Sequence, residues 1–540
     1  MAAPADSGQR PAPGLLRRVA RVLRPGHEHS AFSATVLLMG AVMLSRVIGY
    51  VREAYIAYAF GAGAQTDAYV AAFTIPDWLN YLVAGGTVSI TFIAIFSRYT
   101  AEGREEEAQK AFSVIVTVMS VVLIGGIVLA QIFTPQIERL IFPKFTAEQL
   151  ELCVRLTRIL LPAQLFFYVG GVVSAVLMSR RLFLFPALAP LFYNVFIIVG
   201  GVLLGRRLGV AALAYGAVAG AVTGPFLANL LGAMRIGLRY RPSLDVGHAG
   251  FREWVRLTIP LMLGVTLVAA DEWIERFFAS GSIGDITRLN YAKRLIAVPI
   301  AVMGQAVGQA SLPFFARLVG ERRMDEFART VSTAVYRAAA AALLASAWMA
   351  AAALPIIDLV YRRGQFSFAD SQRTAVFFFW FSLALAFWAS QSLYSRAFYA
   401  AGDTLTPMLA GTVITVVALV VYSALFRAYG VVGLAMASGI GIAAHTVTLA
   451  ALLDRRGLVP AGAFAWGELG KALGTAAFAA LVSYAVAGVV PLDGSRRADL
   501  MALALVSVTW AGAVAAGLWV TRSELPRALS FHRSGGSTGL

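Results

Sequence analysis

A chain of 540 residues with 59% apolar residues, 14% charged residues and a mean hydropathy of +0.73 has too little polar surface to cover a water-soluble globule. Its net charge of +16 is spread over short segments between apolar runs, which excludes a compact basic domain for nucleic acid and makes anionic lipid headgroups the expected counterpart. One cysteine, Cys153, rules out an intramolecular disulfide and a thiolate metal site. The five histidines have no metal-ligand spacing, and no G-x-x-x-x-G-K-S/T is present, so neither a metal, a cofactor nor P-loop ATP hydrolysis is expected.

Residues 1–31 are polar and Arg-rich, without an apolar core ending in a small-residue cleavage site, and read as a cytoplasmic tail rather than a cleaved signal peptide. Fourteen helical spans follow, near 32–60, 66–96, 111–133, 153–178, 184–204, 209–234, 253–279, 286–315, 331–357, 372–400, 407–427, 431–453, 468–490 and 499–521. Most reach the roughly 20 residues that cross a hydrocarbon core of about 30 Å. Long apolar runs such as Leu182 to Leu204 exclude a β-barrel, whose strands alternate apolar and polar residues.

Ionisable residues inside spans are costly unless they face a cavity or a partner, so they mark the candidate site. In the first span, Arg46 and Glu53 share nearly one helical face, and Gly49 stands three residues from both Arg46 and Arg52. A cationic lining with a small-residue gap is one reading; a snorkelling Arg52-Glu53 at the outer end is the other. The second span holds Asp67, Pro76-Asp77, Asn80 and Gly85-Gly86, a pattern for a broken or bent helix. Glu105-Glu106-Glu107 reads as a solvated helix end, and 134–151 as an amphipathic segment on the outer interface.

The seventh and eighth spans carry Asp271, Glu272, Glu275 and Arg276, then Arg288, Asn290, Lys293 and Arg294. Glu272 and Arg276 are spaced to neutralise each other at i,i+4, which leaves Asp271 and Glu275 needing partners from elsewhere. Arg294 sits about 12 Å into its span, too deep for easy snorkelling. Arg46, Arg52, Lys293 and Arg294 are expected to line a central cavity, with Glu53, Asp67, Asp77, Asp271 and Glu275 as gate or charge-pair acids. Arginine's planar fork suits a diphosphate, so an anionic substrate is favoured. No catalytic residue is assigned, because no loop is long enough to house a catalytic domain.

Three signatures recur about 218 residues apart, the mark of a duplication. Phe60-Gly61-Ala62-Gly63 returns as Phe278-Ala279-Ser280-Gly281, Ser179-Arg180 as Ser395-Arg396, and Gly209-Val210 as Gly430-Val431. Each copy has six spans, so both copies share one orientation in the membrane. The fold class is therefore an all-α polytopic membrane protein with about 14 transmembrane helices: a lobe at 32–235, a pseudo-symmetric lobe at 252–453, two C-terminal helices at 468–521, and a tail at 522–540. With both termini on one side, that side's loops hold roughly 25 cations against roughly 10 opposite, which makes the termini cytoplasmic.

The pattern Ser45-Arg46-Val47-x-Gly49-x-x-Arg52-Glu53, then Phe60-Gly61-Ala62-Gly63-x-x-Thr66-Asp67-Ala68 and Phe73-x-x-Pro76, resembles the opening of the MurJ (MviN) family of lipid II flippases in the multidrug/oligosaccharidyl-lipid/polysaccharide exporter superfamily. Tyr291-Ala292-x-Arg294, Arg363-Gly364-x-Phe366 and Ala397-Phe398-Tyr399-Ala400-x-Gly402-Asp403-Thr404 extend the match. The resemblance implies a bacterial inner-membrane protein, a monomer without nucleic acid as partner. It would move lipid II, an undecaprenyl-diphosphate-linked muropeptide, to the outer leaflet by alternating access without ATP. It implies headgroup contact at Arg46, Arg52 and Arg294, and a polyprenyl-tail groove at the last two spans. Two departures stand out: Asn80 replaces the second-span arginine, and Lys293 replaces a residue often Asp. Both are kept among the substrate-binding candidates. A related flippase for another polyprenyl-diphosphate-linked glycan, or a cation antiporter of the same superfamily, are the alternatives. The coupling ion is not legible.

Overall fold

The computed structural model describes residues 31–81, 86–262, 267–489 and 495–525. Among them every regular element is a helix. Ten helices are long and apolar enough to cross a membrane, and the pair Phe368–Leu383 and Leu385–Ala400, bent by 42°, makes an eleventh. The other three predicted spans correspond to Ala31–Phe60, which carries Arg46, Arg52 and Glu53, to the elements Ala64–Ala71, Thr74–Leu79 and Gly86–Ala101, and to Ala249–Met262 with Leu267–Ala279. The break expected around Pro76 falls just before it, at residues 72–73, while Gly85 lies outside the described residues.

The chain divides into two units whose boundaries differ from those of the two sequence repeats. The first comprises Met1–Arg52, Ile75–Thr134 and Val154–Leu263; the second comprises Glu53–Thr74, Pro135–Cys153 and Gly264–Leu540. The segments 53–74 and 135–153, expected in the N-terminal lobe, belong to the second unit because they bond to it. Gln365 N donates to Tyr58 O at 2.9 Å, and the Lys144 ammonium lies over the Phe426 ring. Conversely, Ala249–Met262 stays in the first unit through Thr91 to Thr258 hydroxyl pairing at 2.8 Å and a two-pronged Arg98 to Glu253 contact.

In the first unit, Leu184–Leu208 and Ala211–Ala221 pack backbone against backbone. A Cβ on Gly200 would lie 2.8 Å from Ala212 O, and one on Gly216 would lie 2.6 Å from Phe196 O. This is the small-residue packing that substitutes for hydrophobic driving force in lipid. Where Pro225 breaks the helical ladder inside a π-helical stretch, Val222–Ala228, Asn229 Nδ2 donates to Pro225 O at 2.8 Å and to Gly170 O at 3.2 Å. The proline carbonyl is thereby satisfied without water.

In the second unit, Met324–Ala351 packs against Trp466–Ala487 through Ala340, Leu344, Ala347, Ala472 and Ala476, and also lies against Leu385–Ala400. Arg496–Val520 joins them: Trp510 Nε1 donates to Leu344 O at 2.9 Å and Trp348 Nε1 to Ser507 Oγ at 2.9 Å. The duplication is visible in local geometry. Gly209 ends Leu184–Leu208 at φ 59°, ψ −141°, and Gly430 ends Leu405–Tyr429 at φ 60°, ψ −143°. That backbone region is open to glycine and strained for other residues.

Candidate functional site

The cations of the first span are prepared in different ways. Arg52 Nη1 donates to Asn194 Oδ1 at 2.8 Å; Asn194 Nδ2 donates in turn to Pro190 O at 3.0 Å and Ser45 Oγ at 3.3 Å. Gly49 faces this amide at a distance that would admit a Cβ, which would stand 3.9 Å from Asn194 Oδ1 in ordinary contact. The amide thus fixes the direction of one guanidinium fork. Arg46, half-buried one and a half turns earlier, has no carboxylate partner among the described residues. Asn194 is a site residue the sequence reading missed, because a lone asparagine in an apolar span carries no spacing signal.

Asn80 Nδ2 donates to Gln164 Oε1 at 3.2 Å, so the residue that replaces a second-span arginine is engaged with a neighbouring helix. Asp77 lies in the first turn of Thr74–Leu79, partly exposed.

In the second unit, the two expected cations on Asp285–Pro299 separate into different roles. Lys293 Nζ is hydrogen-bonded to Asp271 Oδ2 and lies 2.9 Å from Glu275 Oε2, with the Phe381 ring 5.4 Å away. Asp271 also accepts from Tyr422 Oη and, at 3.0 Å, from Ser438 Oγ. Lys293 was expected to offer its charge to a substrate; here that charge is taken up by the two acids that lacked partners in sequence. The reason is desolvation: two carboxylates 6% and 3% exposed demand a counter-charge, and the lysine one turn from Asn290 supplies it. Glu272, Glu275, Arg276, Asn290 and Lys293 surround a cavity of about 20 Å³, the size of one water. Glu272 and Arg276 form the expected i,i+4 pair at 3.3 Å, and Arg276 also donates to Thr74 Oγ1 at 3.0 Å.

Arg294 differs from its neighbour. Its side chain is 50% exposed, and its Nε lies 3.7 Å from Glu53 Oε1, a carboxylate only 7% exposed. The acid orients the guanidinium by charge, and half of the arginine side chain stays exposed. This pairing joins an acid and a base that the sequence reading placed in different roles.

Asp67 is not a free gate acid. It is 1% exposed and caps the start of Asp285–Pro299, accepting from Thr287 N at 2.9 Å, Thr287 Oγ1 at 2.7 Å and Gly284 N. A carboxylate at a helix N-terminus meets orphan donors and the positive end of the dipole, which explains the position. Arg288 bonds Asp285 at 2.8 Å and Asp370 at 2.6 Å, and Arg373 reaches the second Asp285 oxygen at 2.5 Å. Tyr484 and Ala487 of Trp466–Ala487, with Ala350, Leu354, Pro355, Val376 and Phe379, border a largely apolar cavity of about 450 Å³, to which the last span contributes no lining residue among those described.

The family model for the lipid II flippase MurJ matches residues 56–497. A probable lipid II flippase MurJ of Synechocystis is 25% identical over 460 residues, covering 82% of this chain and 85% of the relative. A lipid II flippase MurJ of Burkholderia cenocepacia is 27% identical over 443 residues, 79% of this chain and 84% of the relative. Among solved structures, a lipid II flippase MurJ in an inward closed conformation superposes with a TM-score of 0.75 at 20% identity, over 90% of this chain and 99% of that one. An inward-facing multidrug resistance MATE family transporter of the MOP superfamily gives 0.60 at 14% identity, over 78% and 97%.

Proposed function

Since the chain belongs to the MurJ family of lipid II flippases, we propose that it translocates lipid II from the cytoplasmic to the outer leaflet of the bacterial inner membrane by alternating access. It acts as a monomer with both termini in the cytoplasm and performs no covalent chemistry. The observation that carries the reading to the substrate is Arg294: a guanidinium 50% exposed, aimed by a buried acid, beside a lysine whose charge is already met.

A diphosphate offers two or more anionic oxygens in the geometry a guanidinium fork matches bidentately. Arg294 in the second unit, and Arg52 and Arg46 in the first, are the proposed headgroup contacts, with Asn80 as a neutral hydrogen-bonding partner for the sugar. The polyprenyl chain stays in apolar surroundings throughout, and the cavity bordered by Leu354, Phe379 and Tyr484 has the lining such a chain needs. Keeping the tail in the bilayer means only the headgroup must be desolvated, and the arginines offset that cost. Asn80 in place of a cation favours a second reading within the same chemistry, a different glycan on the same polyprenyl diphosphate. A cation antiporter is disfavoured because Lys293 already occupies the place between Asp271 and Glu275 that a bound cation would take.

The test is rescue of a bacterium depleted of its own lipid II flippase, scored by lipid II exposed on the outer leaflet. Restored exposure supports the lipid II assignment. A well-expressed, inserted protein that leaves lipid II inside overturns it in favour of another lipid-linked glycan.

A further inference from the structure

A second anion site is built at the loop rim of the first unit. After Asn229–Arg235 the chain runs without regular structure through residues 238–245 and lies along the first turns of Glu105–Ile141. It is pinned there at four points. Arg241 N donates to Ser113 Oγ at 3.1 Å, Ser243 N to Thr117 Oγ1 at 3.3 Å, Tyr240 Oη pairs with Thr117 Oγ1 at 3.0 Å, and Lys110 meets Asp245 at 2.9 Å. Between this strap and the helix is a cavity of about 390 Å³, lined by Lys110, Arg239, Arg241, Gln109, Ser113 and Ser243, with Glu106 as the one acid.

Charge is unevenly settled around it. Three other arginines of this rim are paired with acids: Arg98 with Glu253, Arg104 with Glu102 and Glu107, Arg180 with Glu105. Arg239 and Arg241 have no carboxylate partner among the described residues, and both face the cavity. Uncompensated guanidinia held beside serine hydroxyls and an amide form a phosphate-type site. The surroundings add a second requirement. Tyr240 and Leu244 on the strap, Val246 just after it and Met234 in the helix before it are 49%, 65%, 56% and 67% exposed, an apolar fringe beside the cavity. An occupant has to be anionic at one end and apolar at the other.

We propose that this strap binds the phosphodiester headgroup of an anionic phospholipid of the cytoplasmic leaflet, taking the orientation proposed above, with Arg239 and Arg241 on the phosphate and Leu244 and Val246 against the acyl region. The cavity of about 390 Å³ has room for a phosphoglycerol group and its glycerol backbone. Because the strap joins the sixth and seventh predicted spans, a lipid there ties the link between the two sequence repeats to the leaflet from which a substrate would enter.

The experiment is native mass spectrometry of the delipidated full chain titrated with phosphatidylglycerol or phosphatidylcholine, with and without excess inorganic phosphate. The wild type should retain phosphatidylglycerol over phosphatidylcholine, resistant to phosphate. Arg239→Ala with Arg241→Ala should weaken that retention about tenfold or more, two charge-assisted contacts being lost. The exposed single change Arg239→Glu should act in the same direction, and Arg206→Ala with Arg207→Ala should leave retention unchanged. Equal retention in all variants, equal retention of both lipids, or full displacement by inorganic phosphate would each overturn the proposal. The readout needs no transport, so it fails or succeeds independently of the flippase assignment.

Discussion

Lys293 Nζ lies 2.9 Å from Glu275 Oε2 and is hydrogen-bonded to Asp271 as well, so one ammonium holds together two carboxylates that water scarcely reaches. Removing it leaves uncompensated buried charge, a change that costs about 3–5 kcal/mol. Lys293→Met is therefore expected to lower the thermal unfolding midpoint of the purified protein sharply. Adding Glu275→Gln to that variant should recover part of the loss. A Lys293→Met protein as stable as wild type contradicts the network.

Arg294 should behave in the opposite way. Half-exposed, and 3.7 Å from a Glu53 that holds further contacts of its own, it contributes less to stability than Lys293. Arg294→Ala is expected to insert and unfold normally while losing transport, measured as outer-leaflet lipid II. Arg294→Lys, which keeps charge but not the fork, should retain only part of the activity. Wild-type transport by the alanine variant removes Arg294 from the site.

The contrast between these neighbours shows what the sequence carries and what it does not. Helical spacing reports contacts within a helix, and the Glu272 to Arg276 pair at 3.3 Å was legible for that reason. So were the spans, the broken second span and the twin glycines Gly209 and Gly430, since hydropathy and backbone strain are local properties. Contacts between helices are not local. Lys293 with Asp271, Asp67 with Thr287, Glu53 with Arg294 and Arg288 with Asp370 depend on how spans pack. Without that packing, Lys293 and Arg294 were two cations of one kind, and Asp67 was a gate acid rather than a cap.

Asp67 gives a measure of that capping role. Its carboxylate meets Gly284 N, Thr287 N and Thr287 Oγ1, and Asp67→Ala strands these buried donors at a cost of about 1–3 kcal/mol. Asp67→Asn keeps an acceptor oxygen and should cost less. The comparison is made by denaturation of both variants in one detergent. Equal loss from both would show that negative charge, rather than hydrogen bonding, is what the helix start requires.

Gly364 links two of the sequence signatures. It adopts φ +57°, and a Cβ there would lie 2.2 Å from Tyr58 O, just before Gln365 N donates to that same oxygen at 2.9 Å. Gly61, at φ +67°, faces Gln365 O in the same way, 2.7 Å from where its Cβ would be. The Phe60-Gly61 and Arg363-Gly364 motifs are thus two halves of one close backbone crossing. Gly364→Ala combines a left-handed backbone with a clash against a carbonyl and should cost at least about 1–3 kcal/mol. Gly402→Ala, also at positive φ but with open space around its Cβ, should cost less. Thermal midpoints of the two variants decide this, and a Gly364→Ala protein no weaker than Gly402→Ala argues against the crossing.

Asp245 sets a pH limit on the strap. The hydrogen bond from Lys110 holds its carboxyl below the usual Asp range. A depressed folded value means that the tie is fully present above the ordinary Asp value of about 3.9 and is lost only as pH falls through the lower, folded one. Between pH 5 and 8 the Lys110 contact should therefore not change, and hydrogen exchange of backbone amides 240–246, corrected for the intrinsic rate, should be flat over that window. Asp245→Asn removes the charge at neutral pH. It should raise exchange in the strap by weakening one of its four pins, and it should strengthen phosphatidylglycerol retention by returning the Lys110 charge to the cavity. Faster exchange together with weaker retention would mean that the pinned geometry, more than the net cation count, holds the lipid. Unchanged exchange would show that Lys110 and Asp245 do not tie the strap at all.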